Sequence, residues 1–386
     1  MHCHHFQAGR CRSCSLLDTP YPAQLQARQA ACEAALAGWA GLAWHPPVSG
    51  PEAGFRNKAK MVVSGSADAP VLGILNAEGQ GVDLRDCPLY PPAMRAAFGP
   101  IADFIRAAGI EPYDVAGRRG ELKYVLLTAC ERTGEMMLRL VLRSRQPLAA
   151  IRAHLPALLR QLPGLKVVSV NLQPVHMAIV EGDEEILLTK QDTLTMWLNE
   201  LPLHLRPRSF FQTNSVVAAR LYATARDWVA EISPSGMWDL FCGVGGFALH
   251  CAPHVRGTVT GIEMSTEAID SASRSARELG LANTLFRALD AADFALGQGR
   301  VPELVLVNPP RRGIGAALCA FLDASPARWL LYSSCNPASL VQDLARLPGF
   351  VPRRARLFDL FPHTTHSEVL VLLGRNDETC PGRLRK

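Results

Sequence analysis

No stretch of this chain approaches the run of about twenty apolar residues that a bilayer-spanning helix needs. Its opening residues, MHCHHFQAGRCRSC, lack the apolar core of a secretory leader. Internal repeats and low-complexity tracts are also missing, which argues against a repeat architecture. These absences lead to the expectation of a cytoplasmic protein with no membrane partner. What is present suits a folded enzyme: 386 residues, 48% of them hydrophobic, suffice for two or three packed domains. The net charge of +5 and a pI near 8.7 are compatible with an anionic partner such as nucleic acid, without singling one out. The eleven cysteines are an odd number. In a reducing compartment they read as metal ligands, a nucleophile and buried apolar residues rather than as a disulfide framework.

Hydrophobic period and Pro/Gly punctuation divide the chain into three regions. Residues 1–49 hold clustered cysteines and an amphipathic helix expected over Tyr21 to Trp39. Residues 50–205 read as a central α+β domain. It has strands near Lys60–Ser64, Tyr124–Thr128, Met136–Leu142, Val167–Leu172 and Glu185–Leu188, and helices over Pro92–Ala108 and Leu148–Gln161. Residues 206–386 begin with a helix over Val216–Glu231. Strands then alternate with helices, at Met237–Phe241, Gly257–Glu263, Thr284–Leu289, Leu304–Asn308 and Trp329–Ser333, before a last strand at Val369–Leu373. The alternation predicts an α/β, Rossmann-like, doubly wound parallel sheet with a ligand crevice at the carboxyl ends of its strands.

At the first of these strands, Asp239-Leu240-Phe241-Cys242-Gly243-Val244-Gly245-Gly246-Phe247 breaks into glycines just before a helix, where backbone can approach a ligand closely. Glu263 ends the next strand, placed to accept ribose hydroxyls, and Asp290 ends the one after. The order G-V-G-G-F lacks the third-glycine spacing of a pyrophosphate loop. It favours S-adenosylmethionine over a dinucleotide.

The fourth strand runs into Asn308-Pro309-Pro310-Arg311. Amino-group methyltransferases put an aromatic after the prolines to stack on a flipped base, whereas here a cation follows, suited to a phosphate or a carbonyl oxygen. The fifth strand delivers Ser333-Ser334-Cys335-Asn336-Pro337, a cysteine in a polar turn that suits an exposed thiolate better than core packing. A thiolate has a definite use here, because C5 of uracil is too electron-poor to attack a methyl sulfonium unaided. Addition of the thiolate to C6 makes C5 nucleophilic. A base must afterwards take the C5 proton, and Glu368, with His363 and His366 nearby, is the candidate.

Two further sets of residues stand outside this region. Cys3, Cys11, Cys14 and Cys87 form a four-thiolate set whose spacing fits either zinc or an iron-sulfur cluster; His2, His4 and His5 read as its flanks. Arg56, Lys58 and Lys60 recur at every second position, so a strand would put them on one face as a phosphate-tracking stripe, extended by Arg118, Arg119 and Lys123.

The segments GRCRSC, GFRNKAKMVVSG, CPLYP, RGELKY, SFFQTN, DLFCGVGGF, LVNPPRRG, YSSCNP and FPHTTHSEV together resemble the bacterial 23S rRNA (uracil-C5)-methyltransferases, within the wider RNA uracil-C5-methyltransferase group. The similarity extends over essentially the whole chain. It implies a Rossmann-like S-adenosylmethionine-dependent methyltransferase domain, a central α+β domain and an N-terminal iron-sulfur region. It implies Cys335 as nucleophile and Glu368 as proton acceptor, with Gln212, Phe241, Glu263 and Asn308 contacting S-adenosylmethionine. A [4Fe-4S] cluster on Cys3, Cys11, Cys14 and Cys87 follows from the same resemblance, as does 23S rRNA as the partner; a monomer with no obligate protein partner is the default expectation. Asn308 stands where much of the wider group has aspartate, keeping an acceptor oxygen but losing a charge. Two rivals remain at this stage: a uracil methyltransferase for tRNA or another rRNA site, and a non-enzymatic iron-sulfur RNA-binding protein.

Overall fold

The computed structural model describes residues 1–376 except 178 and 299. The chain forms two compact units, one from Met1–Cys14 with Pro51–Met196, the other from Ser15–Gly50 with Trp197 onward. The cysteine-bearing start thus belongs to the first unit, and the helix that follows it belongs to the second.

In the first unit, seven strands run in the order Gly81–Asp83, Pro70–Leu75, Lys58–Gly65, Leu122–Ala129, Met136–Leu142, Leu165–Leu172 and Glu184–Leu187. All pairs are antiparallel except Met136–Leu142 with Leu165–Leu172, whose parallel pairing requires the crossover helix Leu148–Gln161 between them. One face carries Ala59, Met61, Val63, Val125, Leu127, Leu138 and Leu140, packed with residues of Pro92–Ala107 such as Phe98 and Ile101. The expected strands and helices of this region are present with ends moved by a residue or two. Pro70–Leu75 and Gly81–Asp83 were not anticipated, since short strands interrupted by glycine carry little periodicity.

The second unit holds an eight-stranded sheet in the order Ala43–Val48, Phe350–Phe358, Glu368–Arg375, Trp329–Ser334, Leu304–Val307, Met237–Leu240, Val259–Glu263, Thr284–Ala288. The last five strands in that order are parallel. Leu304–Val307 is buried at every position, as a strand covered by helices on both faces must be. The five parallel strands are those read as a parallel sheet from the sequence; at the other end, where no direction was read, Glu368–Arg375 runs antiparallel to both its neighbours. The short return over residues 359–367 cannot make the long crossover that a parallel neighbour needs. Ala43–Val48 pairs parallel with Phe350–Phe358 at the sheet's margin, the position where its Pro46 and Pro47 are tolerated.

From Met237–Leu240 the chain adds strands first on one side and then, from Leu304, on the other, so strand order reverses between these two neighbours. Such a switch point opens a crevice at the strands' carboxyl ends. Helices Gly315–Ala324 and Pro337–Ala345 pack one face through Leu318, Leu322, Leu340 and Leu344, joined by Cys32 and Leu36 at the end of Tyr21–Ala35. Among the described residues, no helix is long and apolar enough to cross a membrane.

Candidate active site

Met237–Leu240 ends in a turn that only unusual backbone can make: Phe241, Gly243 and Gly245 all have positive φ, at 65°, 53° and 84°. Glycine is needed at Gly245, where a Cβ would lie 3.0 Å from that of Ala272, while the space around Gly243 is open. Glu263 receives this turn. Its Oε2 accepts from the Gly243 N–H at 3.3 Å and its Oε1 from the Ser265 N–H at 3.1 Å, leaving the half-buried carboxylate facing the crevice edge. Asp290, expected at a strand end, caps helix Ala291–Leu296 by accepting from the N–H groups of Ala292 and Asp293. Asp239 went unremarked in the sequence, although a carboxylate inside an apolar strand is itself a signal. It is fully buried; Oδ2 accepts from the Ala248 N–H at 2.9 Å, and Oδ1 has no partner among the described residues. Burial, with repulsion from Glu263 added, pushes its carboxyl up to about 8 against the Ala248 hydrogen bond.

Gln212 is buried, and Phe241 and Asn308 are half-buried, with the Asn308 N–H donating to the Leu240 carbonyl at 3.3 Å. Phe241 and Asn308 therefore end adjacent strands at the switch point.

Cys335 lies between the end of Trp329–Ser334 and helix Pro337–Ala345, whose N-cap Asn336 accepts from the Ala338 N–H at 3.2 Å. The Asn-Pro pair read as a turn is thus a helix cap followed by proline at the first helical position. Ser334 Oγ accepts from the Asn336 N–H at 3.2 Å and tightens the turn around the half-exposed thiol. Asn336 Nδ2 donates to the Arg311 carbonyl at 3.0 Å, tying the two loops together. The helix N-terminus favours a thiolate here. Burial and then the Glu368 carboxylate push the Cys335 thiol up, opposed by the charge and hydrogen bond of Arg311. Arg311 Nη2 also lies 3.2 Å from His366 Nδ1.

Glu368 opens the antiparallel strand and is buried, its Oε1 accepting from the Ser333 hydroxyl two residues before Cys335. Burial pushes its carboxyl up to about 7, with the Ser333 hydrogen bond pulling the other way. A thiol, a buried carboxylate and a guanidinium thus influence one another at the carboxyl edge of the sheet. Sequence reasoning missed the contact of Arg311 with Cys335, because their loops lie far apart in the chain.

The loop bearing Arg311 is held by Asp343, which accepts from the Ile314 N–H and the Tyr332 hydroxyl, each at 2.8 Å. Gly313 packs so closely that a Cβ would stand 2.2 Å from Asp343 Oδ2, at a φ of 81°. Gly313→Ala is therefore expected to cost roughly 2–3 kcal/mol of stability, measurable by urea unfolding.

The first unit brings Cys3, Cys11, Cys14 and Cys87 together without a disulfide. Burial and the mutual repulsion of these sulfurs push Cys14 up to about 12, and burial likewise raises Cys87 to about 11. Beside them His5 Nε2 lies 2.6 Å from Asp86 Oδ1, and His4 Nε2 lies 3.2 Å from Asp86 Oδ2. The basic stripe is only partly superficial. Lys60 is exposed, but Arg56 acts on the charge of Cys14, and Lys58 is half-buried near Glu181 and Arg139. Arg118 and Arg119 are exposed, whereas Lys123 is turned inward, donating to Gln173 Oε1 and to the Val175 carbonyl.

The cavity of about 620 Å³ between Trp228, Trp329, Arg353 and Arg354 lies at the opposite, amino-terminal edge of the parallel strands and belongs to no part of this site.

Residues 185–376 match the model of a family described as tRNA (Uracil-5-)-methyltransferase. The chain is 57% identical to the 23S rRNA (uracil(747)-C(5))-methyltransferase RlmC of Halothiobacillus neapolitanus, covering 97% of this chain and 100% of that one. It is 56% identical to the RlmC of Citrobacter koseri, covering 97% and 99%. Among solved structures, the tRNA (uracil-54, C5)-methyltransferase of Pyrococcus abyssi in complex with S-adenosyl-L-homocysteine shares the fold. Its TM-score is 0.76 at 23% identity, covering 93% of this chain and 85% of that one.

Proposed function

The chain belongs to the RNA uracil-C5-methyltransferase family, and from that premise we propose that it methylates C5 of a uracil in 23S rRNA through a covalent adduct on Cys335. The observation that carries the mechanism is the mutual influence of Cys335, Glu368 and Arg311 at one sheet edge. The substrate rests on relatives that are named for uracil 747 of 23S rRNA and match along almost the full chain.

Bound S-adenosylmethionine supplies an electrophilic methyl group. Support for its place comes from the open space at Gly243, the Glu263 carboxylate, and Gln212, Phe241 and Asn308 around the switch point. The Cys335 thiolate adds to C6, and the C5=C6 electrons move toward O4 to leave an enolate. C5 then takes the methyl group, and S-adenosylhomocysteine departs. Glu368 accepts the C5 proton, the C5=C6 bond re-forms, and the thiolate leaves. Burial makes Glu368 a stronger base than a solvated carboxylate, which suits that step. The target base must leave its stack to reach the thiol, at least cost in looped RNA.

Arg311 supports the thiolate by charge and hydrogen bond. Arg311→Ala is expected to move the alkaline rise in activity to higher pH. The rate at pH 7 should drop on the order of tenfold and recover in part at pH 9, as a pH profile of single-turnover methylation would record.

Cys3, Cys11, Cys14 and Cys87 would hold the [4Fe-4S] cluster, which would fasten the amino-terminal segment to the Cys87 loop. Methyl transfer moves no electrons, so a structural role fits the reaction. Among the described residues no three of these sulfurs fall within 4.8 Å of one another. Support for one four-sulfur site comes from the mutual repulsion of these sulfurs at Cys14, a donor set that suits zinc as well as an iron-sulfur cluster.

The test is tritium release from unmodified 23S rRNA labelled at uracil C5. Release that requires S-adenosylmethionine is expected; silence on 23S rRNA together with release from tRNA would move the substrate to the rival reading.

A further inference from the structure

The return loop over residues 359–367 leads directly into Glu368, and side chains of a distant helix hold its backbone. Helix Tyr21–Ala35 buries Gln24, Arg28 and Cys32, at 1%, 6% and 2% exposure, on one stripe four residues apart. A helix packed on a core would normally put apolar side chains there. Instead the polar groups reach the loop's backbone. Gln24 Oε1 accepts from the His363 N–H at 3.0 Å, while its Nε2 donates to the carbonyls of Leu16 and Thr19 at 2.9 and 2.8 Å. Arg28 Nη1 donates to the carbonyls of Phe361 and Thr364 at 3.2 and 2.9 Å, and Nη2 donates to Asp359 Oδ2 at 2.8 Å. The Tyr21 hydroxyl donates to the same carboxylate oxygen at 2.6 Å. His363, 1% exposed, sits at a φ of 66°, a conformation a non-glycine residue keeps only when its surroundings enforce it.

We infer that Gln24 and Arg28 are positioning residues for the proton acceptor: they fix the loop that aims the Glu368 carboxylate at C5 of the adduct. The inference rests on the reading of Glu368 as that acceptor. Its consequence is selective. A displaced base slows removal of the C5 proton but leaves thiolate addition and methyl transfer alone, so methylated RNA stays attached to Cys335.

The experiment uses full-length protein, unmodified 23S rRNA and S-adenosylmethionine carrying a labelled methyl group. It reads denaturation-resistant protein–RNA adduct and released product separately. Arg28→Met removes the cation beside the buried Asp359 and risks the fold, so Gln24→Met, which keeps that ion pair, is tested beside it and both are checked by thermal unfolding. The expected result for Gln24→Met is a turnover lowered about tenfold, first-turnover methyl transfer within about twofold of wild type, and labelled adduct that persists. Adding Gln24→Met to Glu368→Gln should change little, because the two act on one step. If Glu368→Gln accumulates adduct and Gln24→Met does not, or if methyl transfer itself falls in parallel with turnover, the positioning role is wrong and the assignment of Glu368 stands. If Glu368→Gln turns over normally, the assignment of Glu368 fails and the inference with it.

Discussion

Replacing Glu368 by glutamine is expected to lower turnover by about 10²–10⁴-fold while leaving a methylated RNA adduct on the protein. Glutamine is nearly isosteric and can hydrogen-bond to the Ser333 hydroxyl, so the geometry built around the native pair is kept. What is lost, in the mechanism proposed above, is the capacity to take a proton from C5, the step on which expulsion of the thiolate depends.

The same substitution has a consequence for stability, and its sign follows from the direction of the shift. The folded-state carboxyl is raised from an ordinary 4.5 to about 7. The stability this group contributes is therefore fully present below about pH 4.5 and is lost as pH rises through 7. At pH 8 the buried carboxylate opposes folding by about 3 kcal/mol, on the order of a 2.5-unit difference. Glu368→Gln is expected to unfold at higher denaturant than wild type at pH 8, with the gap closing near pH 4. Wild type itself should gain activity as pH rises through about 7, since only the ionised carboxylate can accept the proton.

The second large effect is at Cys335. Alanine there removes the proposed nucleophile, and methyl transfer is expected to fall by roughly 10⁴-fold or more, with no adduct formed. Cys335 is half-exposed in a turn secured by Ser334 and Asn336, so the variant should fold with wild-type stability and still bind S-adenosylmethionine. Calorimetric titration with the methyl donor separates this outcome from a general loss of structure. Together the two substitutions should divide the reaction, one blocking entry to the adduct and the other blocking exit.

Local signals made much of this arrangement legible. The glycine turn after Met237–Leu240, the polar exit of Trp329–Ser334 and the alternation of apolar strands with helices each arise from neighbouring residues, and each lies where the pattern put it. Long-range effects were not legible. Arg311 meets Cys335 because two loops converge, and the antiparallel strand Glu368–Arg375 depends on a short return whose direction no periodicity encodes. Helix Tyr21–Ala35 was expected to be amphipathic and packed. It is packed on the core through Cys32 and Leu36, but Gln24 and Arg28 on the same stripe are polar because they satisfy backbone groups of the loop. Lys123 read as surface charge in a basic run, but Gln173 and the Val175 carbonyl turn it inward.

The covalent role of Cys335 is tested most directly by RNA carrying 5-fluorouracil at the target position. Fluorine at C5 cannot be removed as a proton, so the reaction should stop after methyl transfer with C6 still bonded to the protein. Peptide mapping of the trapped complex is expected to place the modified nucleoside on Cys335. Attachment to another residue, or methylation with no trapped complex, would contradict the account.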